Sequence, residues 1–342
     1  MKYLIFLIPF FFASCGGSSP TKKLPEDLDS LLVLFPDSVE LLVQHGNKML
    51  KELNFDKALA DGAKAFRLDS ISTGTKMLYA DILNNRPTRS MDDIASAQKI
   101  YKSILKKEPK NTKALVALAS TFSQQMDFEQ SFEYVNRALK IDSKYRDAYV
   151  MKGSNYLKLS QLNPEKDGMP SKKYMDLTKS SYETAVQQDP KFFEAYLMLG
   201  SLYESEGNEI CVQYYKTAVT LQPKNPDVLF SLAYAQQTFN HPDKALSLYR
   251  RMIQIDTSYY QALNQIGVIK QYNYKQIDSA IYYYKSAIQS EPRFVEAWHN
   301  LGMCYEAQGE STKAMQSYAK ALKYNPDFKL SRERADVLKD AR

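Results

Sequence analysis

One block of about 34 residues recurs along this sequence and constrains its fold more than any other feature. The block can be followed through the position that Trp298 occupies in the last copy. Successive copies are 33 to 35 residues apart, except for two steps of 39 and 47 residues. The eight residues at this position are Leu42, Lys76, Leu115, Tyr149, Tyr196, Leu229, Leu263 and Trp298. A chain of this kind is expected to form an array in which each unit packs on its neighbours.

Small residues recur at two further positions of the block. Four residues after the Trp298 position every copy has Gly or Ala, as at Gly302, and a second small position follows at Ala314. Four residues later, six of the eight copies have tyrosine, as at Tyr318. Bulky residues three, four and seven apart lie on one helical face, and a small residue between them lets a second helix approach to about 8 to 10 Å. Each copy therefore predicts a pair of antiparallel helices.

The ends of the copies predict where the array begins and stops. Five copies end at a proline, as at Pro326, because proline disfavours helix just before it. We expect eight repeats over residues 37–326, a capping half-repeat over residues 25–36 and a capping helix over residues 327–342. The caps are needed because the first and last units would otherwise expose an apolar face.

The order Trp298, Gly302, Tyr305, Ala314 and Tyr318 resembles the tetratricopeptide repeat family, and the resemblance extends from about Pro36 to Pro326. It implies an all-α fold, namely an α-solenoid that winds as a right-handed superhelix. It also implies that the first helix of each pair lines an inner, concave face that binds proteins or peptides.

The first residues form a separate segment. The apolar run from Tyr3 to Ala13 would span only about 17 Å as a helix, against about 30 Å of hydrocarbon, so residues 1–14 are predicted to be a signal peptide. The sequence Phe12-Ala13-Ser14-Cys15 resembles the bacterial lipobox. This resemblance implies that Cys15 is lipidated and that residues 15–24 tether the array to a membrane. Ordinary secretion with an incidental cysteine is the alternative, and it predicts a soluble mature protein.

Charge and motifs exclude several function classes. The 45 basic and 39 acidic residues are interspersed, whereas a nucleic-acid surface needs a concentrated basic stripe. The three histidines fall in different repeats, and no metal-binding or nucleophile motif occurs. We therefore expect no nucleic acid, no metal, no cofactor and no enzyme activity. Cys211 and Cys304 lie three repeats apart, too far for a disulfide, and are expected to be buried small apolar residues.

The inner face of the last three copies is the candidate site. Its residues have helical spacing but lie outside the packing positions. They are Phe230, Tyr234, Asn264, Val268, Tyr272, His299 and Met303. Neighbouring repeats would align them into an apolar, amide-rich strip on which a peptide could lie, with hydrogen bonds to Asn264 and the amides beside it. Alternatively, the strip serves only the packing of the superhelix.

Two copies carry insertions, which are either tolerated surface loops or contact sites. The Tyr149 copy has about 13 extra residues around positions 163–170, and the Lys76 copy has about five near Arg86 to Ser90.

The expected function is a non-enzymatic, lipid-anchored scaffold that binds protein or peptide partners at the bacterial envelope, on the outer membrane and facing the periplasm. A self-associating structural component is one alternative, which four tyrosines favour because tyrosine is common at interfaces. These are Tyr259, Tyr260, Tyr282 and Tyr283. An enzyme or small-molecule carrier is the other, although the inner strip offers no cluster of convergent polar groups.

Overall fold

The computed structural model describes Pro25, residues 27–165, Gly168 and residues 170–340, and this part of the chain contains α-helices and no β-strand. The helices are α1 (Leu28–Leu34), α2 (Val39–Lys51), α3 (Phe55–Leu68), α4 (Thr73–Asn85), α5 (Met91–Lys107), α6 (Thr112–Gln124), α7 (Phe128–Ile141), α8 (Arg146–Leu162), α9 (Lys172–Gln188), α10 (Phe193–Ser205), α11 (Cys211–Leu221), α12 (Pro226–Thr238), α13 (Pro242–Ile255), α14 (Tyr260–Tyr272), α15 (Ile277–Ser290), α16 (Val295–Ala307), α17 (Ser311–Tyr324) and α18 (Lys329–Asp340).

Helices α2 to α17 follow one another as eight pairs, one for each copy of the sequence block. The two helices pack on each other in the pairs that begin with α2, α4, α8, α10, α12, α14 and α16. Second helices also pack on the first helix of the next pair, as in α3 with α4, α7 with α8, α9 with α10, α11 with α12, α13 with α14 and α15 with α16. At the two ends, α1 packs on α2 and α18 packs on α17.

The chain divides into two compact units, Met1–Thr121 and Phe122–Arg342. In the first unit, Met49 and Ala58 form a buried cluster with Leu78 and Ile82. The second unit contains several buried clusters, one for each neighbouring set of helices. The candidate site lies within this second unit.

In the second unit, four of the recurrent small residues are glycines that lie against a tyrosine ring. A Cβ atom added to any of them would approach the ring to between 2.4 and 2.6 Å, closer than packed atoms allow. The four contacts are Gly153 with Tyr182, Gly200 with Tyr215, Gly267 with Tyr284, and Gly302 with Tyr318. The glycine therefore sets how closely the two helices of a pair approach.

The insertion in the second pair is held by its own hydrogen bonds. Arg86 forms an ion pair with Asp93, and Ser90 and Asp93 form a reciprocal capping box at the start of α5. The insertion in the fourth pair is anchored where the backbone N–H of Ser171 donates to the carbonyl of Ser160 at 3.0 Å. Whether either loop contacts a partner stays a prediction.

Three further predictions concern the termini and the cysteines. The predicted signal peptide, the lipidation site Cys15 and the tether over residues 15–24 lie outside the described residues. Among the helices that are described, none is both long and apolar enough to cross a membrane. Cys211 and Cys304 are free and buried in the repeat cores.

Candidate functional site

The candidate site is built on α12, α14 and α16, the first helices of the last three pairs. Amide side chains join these helices. Gln237 Nε2 of α12 donates to Gln265 Oε1 of α14 at 3.2 Å, and Asn300 Nδ2 of α16 donates to Asn264 Oδ1 of α14 at 3.1 Å. These hydrogen bonds link α12 to α14 and α14 to α16.

The amide pairs correct one prediction. Asn264 was expected to offer hydrogen bonds to a bound peptide, but its side chain is 4% exposed. Its carbonyl oxygen accepts from Asn300, since a buried polar group needs a partner within the protein. Asn264 therefore joins two repeats and is removed from the accessible site.

Two aromatic groups remain accessible on this face. Tyr234 is 45% exposed and Tyr272 is 49% exposed. The Phe230 ring stacks on Tyr234 with 6.2 Å between ring centroids, and its other neighbour is the buried Tyr249 at 5.7 Å. Phe230 thus supports Tyr234 from below and ties it to the core of the sixth pair.

Val268 of α14 and Met303 of α16 occupy the same repeat position as Tyr234 of α12. Both are half-buried, and Val268 packs against the cluster that contains Leu301 and Cys304. They extend the apolar surface of α12 along α14 and α16. We call Phe230, Tyr234, Val268, Tyr272 and Met303 the aromatic strip.

His299 was expected to line the accessible inner face, but the C-terminal helix α18 partly covers it. Its Nδ1 lies 3.0 Å from Ser331 Oγ, and its ring meets the Phe328 ring edge-on at 5.5 Å. Burial lowers the pKa of His299, and the nearby Arg334 guanidinium lowers it further. Arg334 also forms an ion pair with Glu306. His299 therefore holds the cap in place, and the aromatic strip ends before it.

A neighbouring apolar pocket was not predicted. It has a volume of about 510 Å³ and is lined by residues of α8, α9 and α10. Its apolar lining includes Leu157, Leu197 and Met198, with Lys158 at the edge. Lys158 Nζ donates to the carbonyl of Ser123 at 3.2 Å. The sequence could have indicated this pocket. Ser154 and Ser201, which line it, occupy the repeat position that Tyr234 occupies on α12.

This first-helix pocket, about 510 Å³ in volume, shares no residue with the aromatic strip. Both are formed by residues of the first helices of their pairs, with Tyr182 of α9 at the base of the pocket. Together they give the second unit two accessible apolar surfaces of the same repeat origin.

Burial governs the titration of the two cysteines in the described part of the chain. No group of three or more His, Cys, Asp or Glu side chains in the described ranges is placed to hold a metal ion. Burial raises the pKa of the Cys304 thiol to about 12 and, as the largest cause, that of the Cys211 thiol to about 11. Both thiols are therefore protonated at neutral pH, and a protonated thiol is a poor nucleophile.

Comparison with known proteins agrees with the helix pairs. Family models described as tetratricopeptide repeat match residues 112–145, 193–225 and 295–328. These segments coincide with the third pair, the fifth pair and the eighth pair together with the turn before α18.

One curated relative is the BBSome complex member BBS4 homolog of Drosophila melanogaster, which is 23% identical over 231 residues. The match covers 65% of this chain and 47% of that protein, so the chain spans about half the length of this relative. The activity and partners of this relative therefore cannot be assigned to this chain.

Two solved structures share the fold. The C-terminal part of a TPR repeat-containing protein from Cytophaga hutchinsonii has a TM-score of 0.57 at 15% identity, covering 75% of this chain and 98% of that one. The APC/C hetero-tetramer Cut9-Hcn1 has a TM-score of 0.54 at 13% identity, covering 89% of this chain and 56% of that one. The predicted α-solenoid class is confirmed, and the three matched segments of the chain are tetratricopeptide repeats.

Proposed function

We propose that this chain is a non-enzymatic scaffold that binds a protein partner on the aromatic strip and the first-helix pocket. The observation that carries the proposal is the pair of half-exposed tyrosines, Tyr234 and Tyr272, on adjacent helices that amide hydrogen bonds hold together. Tyrosine and other aromatic side chains are enriched in protein interfaces, where they bury a large area at a small cost in conformational entropy.

The support beneath these tyrosines favours binding of a partner. Phe230 stacks on Tyr234 and packs on the core of the sixth pair, so the Tyr234 ring is held before a partner arrives. A group that is already ordered loses less entropy on binding. The curated relative from Drosophila melanogaster is named as a member of a protein complex, which is consistent with a scaffold role.

A photo-crosslinking experiment in the source cells tests this proposal. A photoreactive amino acid at Tyr234 or Tyr272 is expected to give a covalent adduct with one defined protein. The matched control is Tyr282, an exposed tyrosine on the second helix α15. Adducts that form equally at Tyr282, or at none of the three positions, would contradict binding on the aromatic strip.

The location of the scaffold is a second part of the proposal. The sequence Phe12-Ala13-Ser14-Cys15 supports export and lipidation of Cys15, which would anchor the chain in the outer membrane, facing the periplasm. Two or three acyl chains give stable anchoring, whereas one chain is marginal.

Metabolic labelling with a fatty acid tests the anchor. The label and the membrane association are expected to disappear in Cys15→Ala. Cys211→Ala is the matched control, because five other copies of the block have alanine at this small position. These residues are Ala58, Ala97, Ala245, Ala280 and Ala314. A Cys15→Ala chain that stays labelled in the membrane fraction would show that Cys15 is not the anchor.

A further inference from the structure

An apolar groove with a volume of about 740 Å³ lies between the second helices α15 and α17. Helix α16 forms its floor through Trp298, Leu301 and Tyr305. This volume is within the range of about 300 to 1,000 Å³ that is typical of ligand sites. None of the lining residues belongs to the aromatic strip, so the groove is a separate surface.

Lysines surround the groove. Lys285 comes from α15, while Lys313, Lys320 and Lys323 come from α17, where spacings of three and seven residues place side chains along one face. Lys285 and Lys313 hold their ammonium groups 5.8 and 5.4 Å from the centroid of the Tyr305 ring. The groove thus combines an apolar floor with a positively charged rim.

Most of this positive charge is not neutralised within the described part of the chain. Lys313 forms an ion pair with Glu310, but Lys285, Lys320 and Lys323 form none with a described residue. The like charges of these three lysines around one apolar surface repel each other, and a negatively charged occupant would relieve that repulsion. The groove therefore fits a segment that carries both apolar side chains and carboxylates.

The N-terminal helix α1 and its flanks have this composition. Between Pro25 and Gln44 the sequence has five carboxylates and no lysine or arginine, and two of the five, Asp29 and Asp37, form ion pairs with Lys48 and Lys64 of the same chain. Three apolar side chains at the end of α1 are exposed although the helix packs on α2: Val33 is 82% exposed, Leu34 53% and Phe35 48%. A contiguous exposed apolar group of this kind marks an interaction site.

We propose that α1 of a second copy of this chain docks in the groove between α15 and α17. Val33, Leu34 and Phe35 would contact the floor, and the carboxylates around α1 would face the lysine rim. The two surfaces differ, so the contact is heterologous and each bound copy leaves a further groove available unless the assembly closes into a ring. This inference concerns a surface that the proposed partner site does not use.

Mixed crosslinking tests whether the contact joins two copies. One tagged chain carries Phe35→Cys, and a differently tagged chain carries Gln316→Cys, which lines the groove. Both carry Cys15→Ala, and the native Cys211 and Cys304 are buried and should not react. A short bis-maleimide is expected to give a product with both tags. The same reaction with Tyr282→Cys in place of Gln316→Cys is the control and should give at least tenfold less product.

Charge reversal tests how much the lysines of the groove contribute to self-association. Sedimentation of the Cys15→Ala chain is expected to show association that weakens with added salt. The double change Lys320→Glu with Lys323→Glu should weaken self-association at least tenfold. Val33→Asp should weaken self-association as much, although it leaves the groove residues unaltered. Lys216→Glu with Lys244→Glu makes the same change in net charge on exposed positions of α11 and α13 and should leave association unchanged.

The outcomes separate this inference from the proposed function. Tyr234→Ala should leave self-association intact even where it abolishes partner binding. A chain that remains monomeric at about 100 μM, or an association that the Lys320→Glu and Lys323→Glu changes leave unaltered, would overturn the proposal. If the groove binds anionic vesicles and no crosslinked product carries both tags, the groove is a membrane-binding surface. That result would also overturn the proposal.

Discussion

Gly302 lies directly against the ring of Tyr318, and a Cβ atom on Gly302 would be 2.5 Å from Tyr318 Cε1. The contact joins the two helices of the eighth pair at their closest point. Three other pairs of the second unit have the same contact. Glycine recurs at this position in these pairs because a Cβ atom would collide with the tyrosine ring.

Gly302→Leu is expected to lower the free energy of unfolding by about 1 to 3 kcal/mol through overpacking against Tyr318. Thermal unfolding followed by circular dichroism measures the loss, and hydrogen exchange shows whether α16 and α17 lose protection first. Gly74→Ala is the control. Its added Cβ would meet only Ser72 Oγ, at 3.6 Å, so the higher helix propensity of alanine should leave stability unchanged or slightly raised. Equal effects of the two changes would contradict the packing role.

Two buried tyrosines of the same repeat position should respond differently to loss of the hydroxyl. Tyr284 Oη donates to Gln271 Oε1 at 2.7 Å, whereas Tyr318 Oη has no partner among the described residues. Tyr284→Phe should cost about 1 to 3 kcal/mol because it leaves a buried acceptor unpaired. Tyr318→Phe should leave the free energy of unfolding unchanged or raise it. Denaturant unfolding of the two variants makes the comparison, and a larger loss in Tyr318→Phe would be inconsistent with it.

The C-terminal cap should loosen in mild acid. Burial lowers the folded-state pKa of His299 below its ordinary value of 6.5. Above pH 6.5 the imidazole is neutral in both states, so the shift has no effect. Below it, the unfolded state, or the state in which the cap has detached, gains a proton before the folded state does, and stability falls until the folded-state pKa is reached.

Hydrogen exchange of α18, corrected for the intrinsic rate, measures this effect between pH 7.5 and 5.5. His299→Gln removes the titrating group and is expected to make the protection of α18 less dependent on pH. Arg334 and Glu306, which form the ion pair beside His299, are not altered in this variant. Equal pH dependence with and without His299 would assign the effect to other groups.

The sequence was sufficient to predict the fold because the packing positions repeat. Gly302 and Tyr318 could be assigned to facing helices from spacing alone, and the structure brings them into contact. The same spacing identified Tyr234 and Tyr272 as residues outside the core, and both are half-exposed.

Contacts between repeats could not be read from the spacing within one repeat. Asn264 occupies the same position as Phe230, but it is buried, and its side-chain oxygen accepts a hydrogen bond from Asn300 of the next repeat. His299 is covered by α18, a helix outside the repeat pattern. The lysine groove was also missed, because Trp298 and Lys320 belong to different helices and their proximity depends on tertiary packing.

The affinity of the crosslinked partner for the purified chain tests the scaffold function most directly. Calorimetric titration is expected to give a Kd at least tenfold weaker for Tyr234→Ala with Tyr272→Ala, a loss of about 1.4 kcal/mol or more, with unchanged helicity. Tyr282→Ala should bind as the unaltered chain does. An unchanged Kd in the double variant would contradict partner binding on the aromatic strip.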